Sequence, residues 1–183
     1  TLTIGLAQSD RALEIYVIDV EGGNAVLFVA PSRESVLIDS GNSGAGAVRD
    51  AERIVAAARD AGLRQIDHLI TTHYHLDHVG GLPELAARIP IGHFIDRGGN
   101  VQAGANSIPA NAAPVLQRYA ELYAKTKHTI AKAGDTIPVK DLQWRMVSAN
   151  GDVIKTDLPG GGSPNPECVA FKATETGNAE DAL

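Results

Sequence analysis

A single cysteine, Cys168, leaves this chain without an internal disulfide, and by itself it reads as a small apolar residue on a strand. Long apolar runs are missing too: no segment approaches the ~18 to 20 residues that a membrane-spanning helix needs. Aromatic residues make up only 4%, which provides no stacking platform for single-stranded nucleic acid. Cations do not predominate. The 16 Lys and Arg stand against 22 Asp and Glu, for a net charge of −6, so there is no general basic footprint for nucleic acid and only a local cleft stays open to it. No internal repeat or low-complexity tract suggests an array. What remains is an ordinary globular composition, 44% hydrophobic and 21% charged over 183 residues, sized for one domain of roughly 100 to 200 residues.

Against that background one stretch stands out, Thr71-Thr72-His73-Tyr74-His75-Leu76-Asp77-His78. Four metal-ligand side chains fall together directly after the apolar run Ile66 to Ile70. His73 and His75 are two apart, so if the strand persists both imidazoles leave the same face and can converge on one ion. Asp77 and His78 follow a change of direction at which Gly80-Gly81 lets the backbone bend and Pro83 suits the first turn of a helix. They can face a second metal position, roughly 3.5 to 4 Å from the first in two-metal hydrolases. The donors are all nitrogen or oxygen, which suits zinc, manganese or iron and argues against a structural thiolate site.

His73-x-His75-x-Asp77-His78 resembles the signature of the metallo-β-lactamase superfamily of binuclear metallohydrolases. Upstream, Ile15 to Phe28 reads as two strands joined by a Gly22-Gly23 turn, and Val36-Leu37-Ile38-Asp39-Ser40-Gly41 as a third ending in Asp-x-Gly. This part is similar to the hydrolase domain of competence proteins of the DNA-uptake channel type, although Asn24 stands where that branch carries Asp. The resemblance implies an α/β fold, a four-layer αββα sandwich built from two αβ halves. It also implies one or two divalent ions, zinc or manganese, with His73 and His75 on one ion and Asp77 and His78 on the other. Asp77 would in addition be catalytic, orienting the attacking water and accepting its proton, and Asp39 would lie beside the metals and hold their loops. The family further uses a third His, a bridging Asp and a last His. This chain has no His after His128 and no later strand ending in Gly-Asp, so residues 13–183 are expected to be the N-terminal half of such a domain, completed by a second half or a partner chain. Asn165, in Pro164-Asn165-Pro166-Glu167-Cys168, falls where the third His is expected, and His93 is another residue that could lie near the site.

Strands are predicted at Glu14 to Val20, Asn24 to Ala30, Ser35 to Ser40, Asp67 to Thr72 and Ile91 to Asp96. A helix is predicted from Ala45 to Ala61, with Val48, Ala51, Val55 and Ala58 as its apolar stripe and Gly62 as its stop. A short helix is expected over Pro83 to Ile89. Arg97 to Ala110 reads as a flexible loop. Asn111 can cap a helix to about Thr126 with Val115, Leu116, Tyr119, Leu122 and Tyr123 on one face. Three short strands are expected within His128 to Val147, then a loop over Leu158 to Pro166 and a final strand from Cys168 to Thr174. His68 reads as structural, and His128 as a surface residue complementing the preceding helix dipole.

Thr1 to Ala7 followed by Gln8-Ser9 suits the end of a secretory signal, so residues 1–12 are read as a leader remnant and the protein as periplasmic or secreted; a short edge strand in a cytoplasmic protein is the alternative. Three functions follow. A phosphodiesterase is favoured by the competence-type resemblance, with Lys or Arg lining its cleft. A hydrolase of lactones, lactams or other esters with small-molecule substrates would show an apolar pocket. A non-catalytic metal-binding module is the third.

Overall fold

The computed structural model describes residues 12–98, 113–163 and 165–168. The leader reading of residues 1–12, most of the loop at 97–110, the Asn111 cap, Pro164 and the strand expected beyond Cys168 fall on or run into residues outside that set.

Six short strands, the first five rich in Val, Ile, Leu or Phe, form one sheet: β1 (Glu14–Val17), β2 (Val26–Val29), β3 (Ser35–Ile38), β4 (His68–Thr71), β5 (His93–Asp96) and β6 (Lys127–Ile130), in that spatial order. β1, β2 and β3 pair antiparallel, while β3, β4, β5 and β6 run parallel. The parallel part needs crossovers, and helices supply them: α1 (Ala47–Asp60) joins β3 to β4, α2 (Leu76–Val79) and α3 (Leu82–Ala86) lie between β4 and β5, and α4 (Ala113–Tyr123) precedes β6.

Period-two alternation divides the strand residues between two cores. Leu27, Val29, Leu37, Leu69 and Phe94 pack with Ile54, Ala58, Leu82 and Tyr119 of the helices. Val36, Ile70 and Ile95 face the other way, against Ile137, Val139 and Ala149. That second layer is made of two small hairpins, β7 (Thr136–Ile137) with β8 (Trp144–Arg145) and β9 (Ser148–Ala149) with β10 (Asp152–Val153). Trp144 closes it edge-on against Phe28, with ring centroids 5.0 Å apart. Being covered on both sides is why every residue of β4 and β5 is buried. The arrangement of helices, mixed sheet and a further β layer is an α/β architecture, as the resemblance implies.

Several expectations are corrected in detail. Val48 is exposed, and the buried face of α1 is Ala47, Asp50, Ala51, Ile54, Val55 and Ala58: one helical turn places Val48 at the border of that arc. The strand before the motif stops at Thr71. Gly80 and Gly81 have ordinary φ values of −68° and −78°, so they do not serve a bend. They are glycines because a Cβ on either would run into the backbone of Ser40 to Ser43. Cys168 closes a 3-10 turn over Pro166–Cys168. No helix among the described residues is long and apolar enough to cross a membrane.

Candidate metal centre

Three adjacent parallel strands end in chemistry. β3 runs into Asp39, β4 into the segment 72–78, and β5 closes on Asp96. The carboxyl ends of parallel strands form the crevice where open α/β sheets bind ligands, so the topology alone gathers these residues.

Although β4 ends at Thr71, the alternation of an extended chain continues. Tyr74 turns into the core and is 5% exposed, while His73 and His75 turn out together with ring centroids 4.7 Å apart. His75 occupies the N-cap of α2, and one turn of helix brings His78 back so that its ring centroid lies 4.0 Å from that of His73. Asp77 Oδ2 is 3.6 Å from His78 Nε2. A four-residue helix cannot pair its own carbonyls. Neighbouring loops do so: Asn24 N–H donates to the Asp77 carbonyl at 3.1 Å and Ser40 N–H to that of His78 at 2.7 Å. Gly23 has no side chain because the Asp77 carbonyl occupies the space a Cβ would need.

Asp39 sits at the centre of this assembly, fully buried and with a φ of 60°. Its Oδ1 accepts from Thr72 N–H at 2.8 Å, and its Oδ2 accepts from Thr72 Oγ1 at 2.8 Å, Asn24 Nδ2 at 2.9 Å and His78 Nδ1 at 2.8 Å. A carboxylate only accepts, so His78 carries its proton on Nδ1. The single Thr72 hydroxyl proton goes to Asp39. The 3.1 Å contact between Thr72 Oγ1 and His73 Nδ1 must therefore be donated by His73. Through two routes one carboxylate sets both imidazoles to the Nδ1–H tautomer, which puts the lone pair on Nε2. Burial, and then the neighbouring His78 and His75, push the His73 pKa down, which keeps the ring neutral. Neutral imidazole is the metal-binding form.

The other residues singled out in the sequence lie elsewhere. His93 is at the opposite end of β5, with Nδ1 3.0 Å from His68 Nδ1 and Nε2 2.8 Å from Thr129 Oγ1; the structure pairs it with His68 and does not bring it to the cluster. Asn165 is exposed and its Oδ1 accepts from Glu167 N–H at 3.0 Å, so it caps a turn. His128 is not a surface residue complementing a dipole: its Nε2 lies 2.8 Å from Asp96 Oδ2 and its ring stacks on Tyr123 at 4.1 Å. Among the described residues no three His, Cys, Asp or Glu side chains form a complete metal-binding group. The segment 73–78 presents pairs, His73 with His75 and Asp77 with His78.

Sequence reasoning missed a second buried carboxylate. Asp96 is 2% exposed and accepts from Tyr119 Oη at 2.6 Å and, through Oδ1, from Gly98 N–H at 2.8 Å. Burial and then Asp96 push the Tyr74 and Tyr119 hydroxyls well above the usual tyrosine range. Arg97 lies 5.7 Å over the Tyr74 ring. The wall behind His73 and His75 is therefore fixed by Asp96. Its signal in the sequence is the same as that of Asp39, a carboxylate directly after an apolar parallel strand.

Residues 18–107 match the Metallo-beta-lactamase superfamily. That span takes in Asp39, the whole motif and Asp96, and the superfamily consists generally of metal-dependent hydrolases. A hydroxyacylglutathione hydrolase from Stenotrophomonas maltophilia is 51% identical over 41 residues, 22% of this chain and 15% of the relative. Among solved structures, a motif mutant of a metallo-beta-lactamase from Cronobacter sakazakii is 22% identical with a TM-score of 0.46, covering 68% of this chain and 47% of that one. A subclass B3 metallo-beta-lactamase from a soil metagenome library is 22% identical with a TM-score of 0.47, covering 70% and 47%. The chain spans about half the length of these solved structures.

Proposed function

We propose that this chain carries the metal-binding segment of a metal-dependent hydrolase acting on phosphodiester-type substrates. The observation that supports it most is the Asp39 relay, which holds His73 and His78 in one tautomer, with His78 Nε2 3.6 Å from Asp77 Oδ2. Nitrogen and oxygen donors in two pairs fit two divalent ions such as zinc or manganese. His73 and His75 would hold one, Asp77 and His78 the other. Such ions supply an acidified water and charge stabilisation for a developing oxyanion. Each pair needs further ligands to complete a sphere, which the superfamily resemblance assigns to a second αβ half.

The protein's own groups have distinct tasks in this reading. Asp77, whose side chain is 43% exposed, would orient the attacking water and accept its proton. Asp39 keeps the imidazoles aligned, and Tyr74, anchored toward Asp96, keeps the two outward histidines at a fixed separation. Arg97 sets a positive charge directly behind the motif, which favours an anionic ester over a neutral amide. A second reading, hydrolysis of a lactone, lactam or other acyl compound, is favoured by the hydroxyacylglutathione hydrolase match.

Turnover decides between them. With manganese added, the full-length enzyme, second αβ half included, should cleave a generic aryl phosphodiester, and Asp77→Asn should abolish that cleavage. Faster turnover of a chromogenic β-lactam or a simple lactone under the same metal would favour the second reading.

A further inference from the structure

The acid excess of this chain is not spread evenly. On the hairpin side of the sheet, beyond the ends of β5 and β6, a cavity of about 550 Å³ is bordered by Arg97, Lys132, Arg145 and Lys155, with Asp152 as the one acid among its described lining residues. A protein of net charge −6 thus gathers four cations around one hollow. Among the described residues, no carboxylate lies within ion-pair distance of any of the four. Arg97 Nε is buried and has no hydrogen-bond partner among the described residues, so the guanidinium is not held by a carboxylate.

The hollow also borders a second cavity that reaches the residues just before the histidine motif. A smaller cavity of about 210 Å³ shares Arg97 and Asn150 with it and extends along Asp96 to Thr71 and Thr72. The Thr72 hydroxyl is the group that meets His73 Nδ1. A ligand reaching from one end to the other would place one part against the cations and another at the motif.

We infer that this cavity is a subsite for a second phosphate group of the substrate, next to the ester cleaved at His73, His75, Asp77 and His78. The assignment rests on the hydrolase reading for the word substrate, and on the cavity alone for the phosphate. Arginine forks and lysine ammoniums around a partly enclosed space suit a group with several anionic oxygens better than a single carboxylate. The substrate would then be a short oligonucleotide or a similar molecule bearing a terminal phosphate beside the scissile phosphodiester.

Two measurements on the protein test this. Binding of inorganic pyrophosphate to chelator-treated protein, followed by calorimetry at fixed ionic strength, should weaken about tenfold or more in the double variant Arg145→Ala/Lys155→Ala and again in Lys132→Ala. All three residues are exposed, so truncation spares the core. A thymidine dinucleotide with a 5′-phosphate should show a KM about tenfold below that of the same dinucleotide without it, and the advantage should vanish in the double variant. Equal pyrophosphate affinity in wild type and variants, or equal KM with and without the terminal phosphate, overturns the subsite even if aryl phosphodiesters are cleaved. If no phosphodiester is cleaved yet pyrophosphate binding depends on these cations, the subsite stands and the hydrolase reading falls.

Discussion

Asp39 adopts a left-handed backbone conformation, φ 60°, which costs a non-glycine residue roughly 1 to 2 kcal/mol. Four donors converge on its carboxylate in return, each of order 1 kcal/mol and more where the acceptor is charged. Asn24 is one of them. A carboxylate at position 24 would face Asp39 at the 2.9 Å now spanned by an amide N–H, so within this chain the amide is the better fit, and the departure from the competence-type pattern has a local reason. Asp39→Asn keeps the shape but turns an N–H₂ toward donors. It should destabilise the fold by about 2 to 4 kcal/mol and weaken metal binding about 10- to 100-fold. Chemical denaturation of the metal-free protein reads the first and a competition titration the second; a stability loss with unchanged metal affinity would confine Asp39 to a structural role.

At the scale of elements, β4 and β5 are joined on their hairpin face by His68 and His93. Their Nδ1 atoms are 3.0 Å apart, so one must carry a proton and the other a lone pair. Burial first, and then Lys127, His68 and His128, push His93 down to about 4; burial also lowers His68 against the opposing pull of Asp67 and Glu34. A folded-state value below the ordinary ~6.5 means that the unfolded chain takes up the proton first as pH falls. The stability contributed by the neutral pair is therefore complete above about pH 6.5 and is lost as the pH drops toward about 4. Thermal midpoints of wild type and His93→Asn between pH 7 and pH 4.5 measure this. The variant should lose less stability on acidification, and parallel curves would show that the pair does not titrate as described.

Much of the element order was legible because β1 to β5 are short runs rich in Val, Ile, Leu or Phe, and because α1 and α4 carry clear periodicity. Less visible was what depends on partners distant in sequence. Periodicity assigned Val48 to a stripe whose edge is decided by packing on α3 and β2. Four residues of α2, half of them ligand types, have no helical pattern to detect. His93 and His128 were legible as histidines on or near strands, but their partners, His68 and Asp96, are fixed only when β4, β5 and β6 align.

For the whole molecule, the decisive arrangement is the parallel block β3–β4–β5, whose carboxyl ends gather Asp39, the motif and Asp96. The motif and the first of these carboxylates could be read along the chain, since both immediately follow apolar strands. The cations at Lys132, Arg145 and Lys155 could not, because they come from separate turns and two-residue strands that meet only across the second β layer. Substrate class was consequently the least legible property, and the cavity is where the structure adds to it.

Whether residues 73–78 hold divalent metal is open to direct measurement. Elemental analysis of protein stripped with chelator, reloaded with zinc or manganese and freed of excess ion measures it directly. The full-length wild type should hold about one or two ions per chain, with about one ion lost in His73→Ala/His75→Ala and likewise in Asp77→Asn/His78→Ala; unchanged stoichiometry in both double variants would put the metal elsewhere.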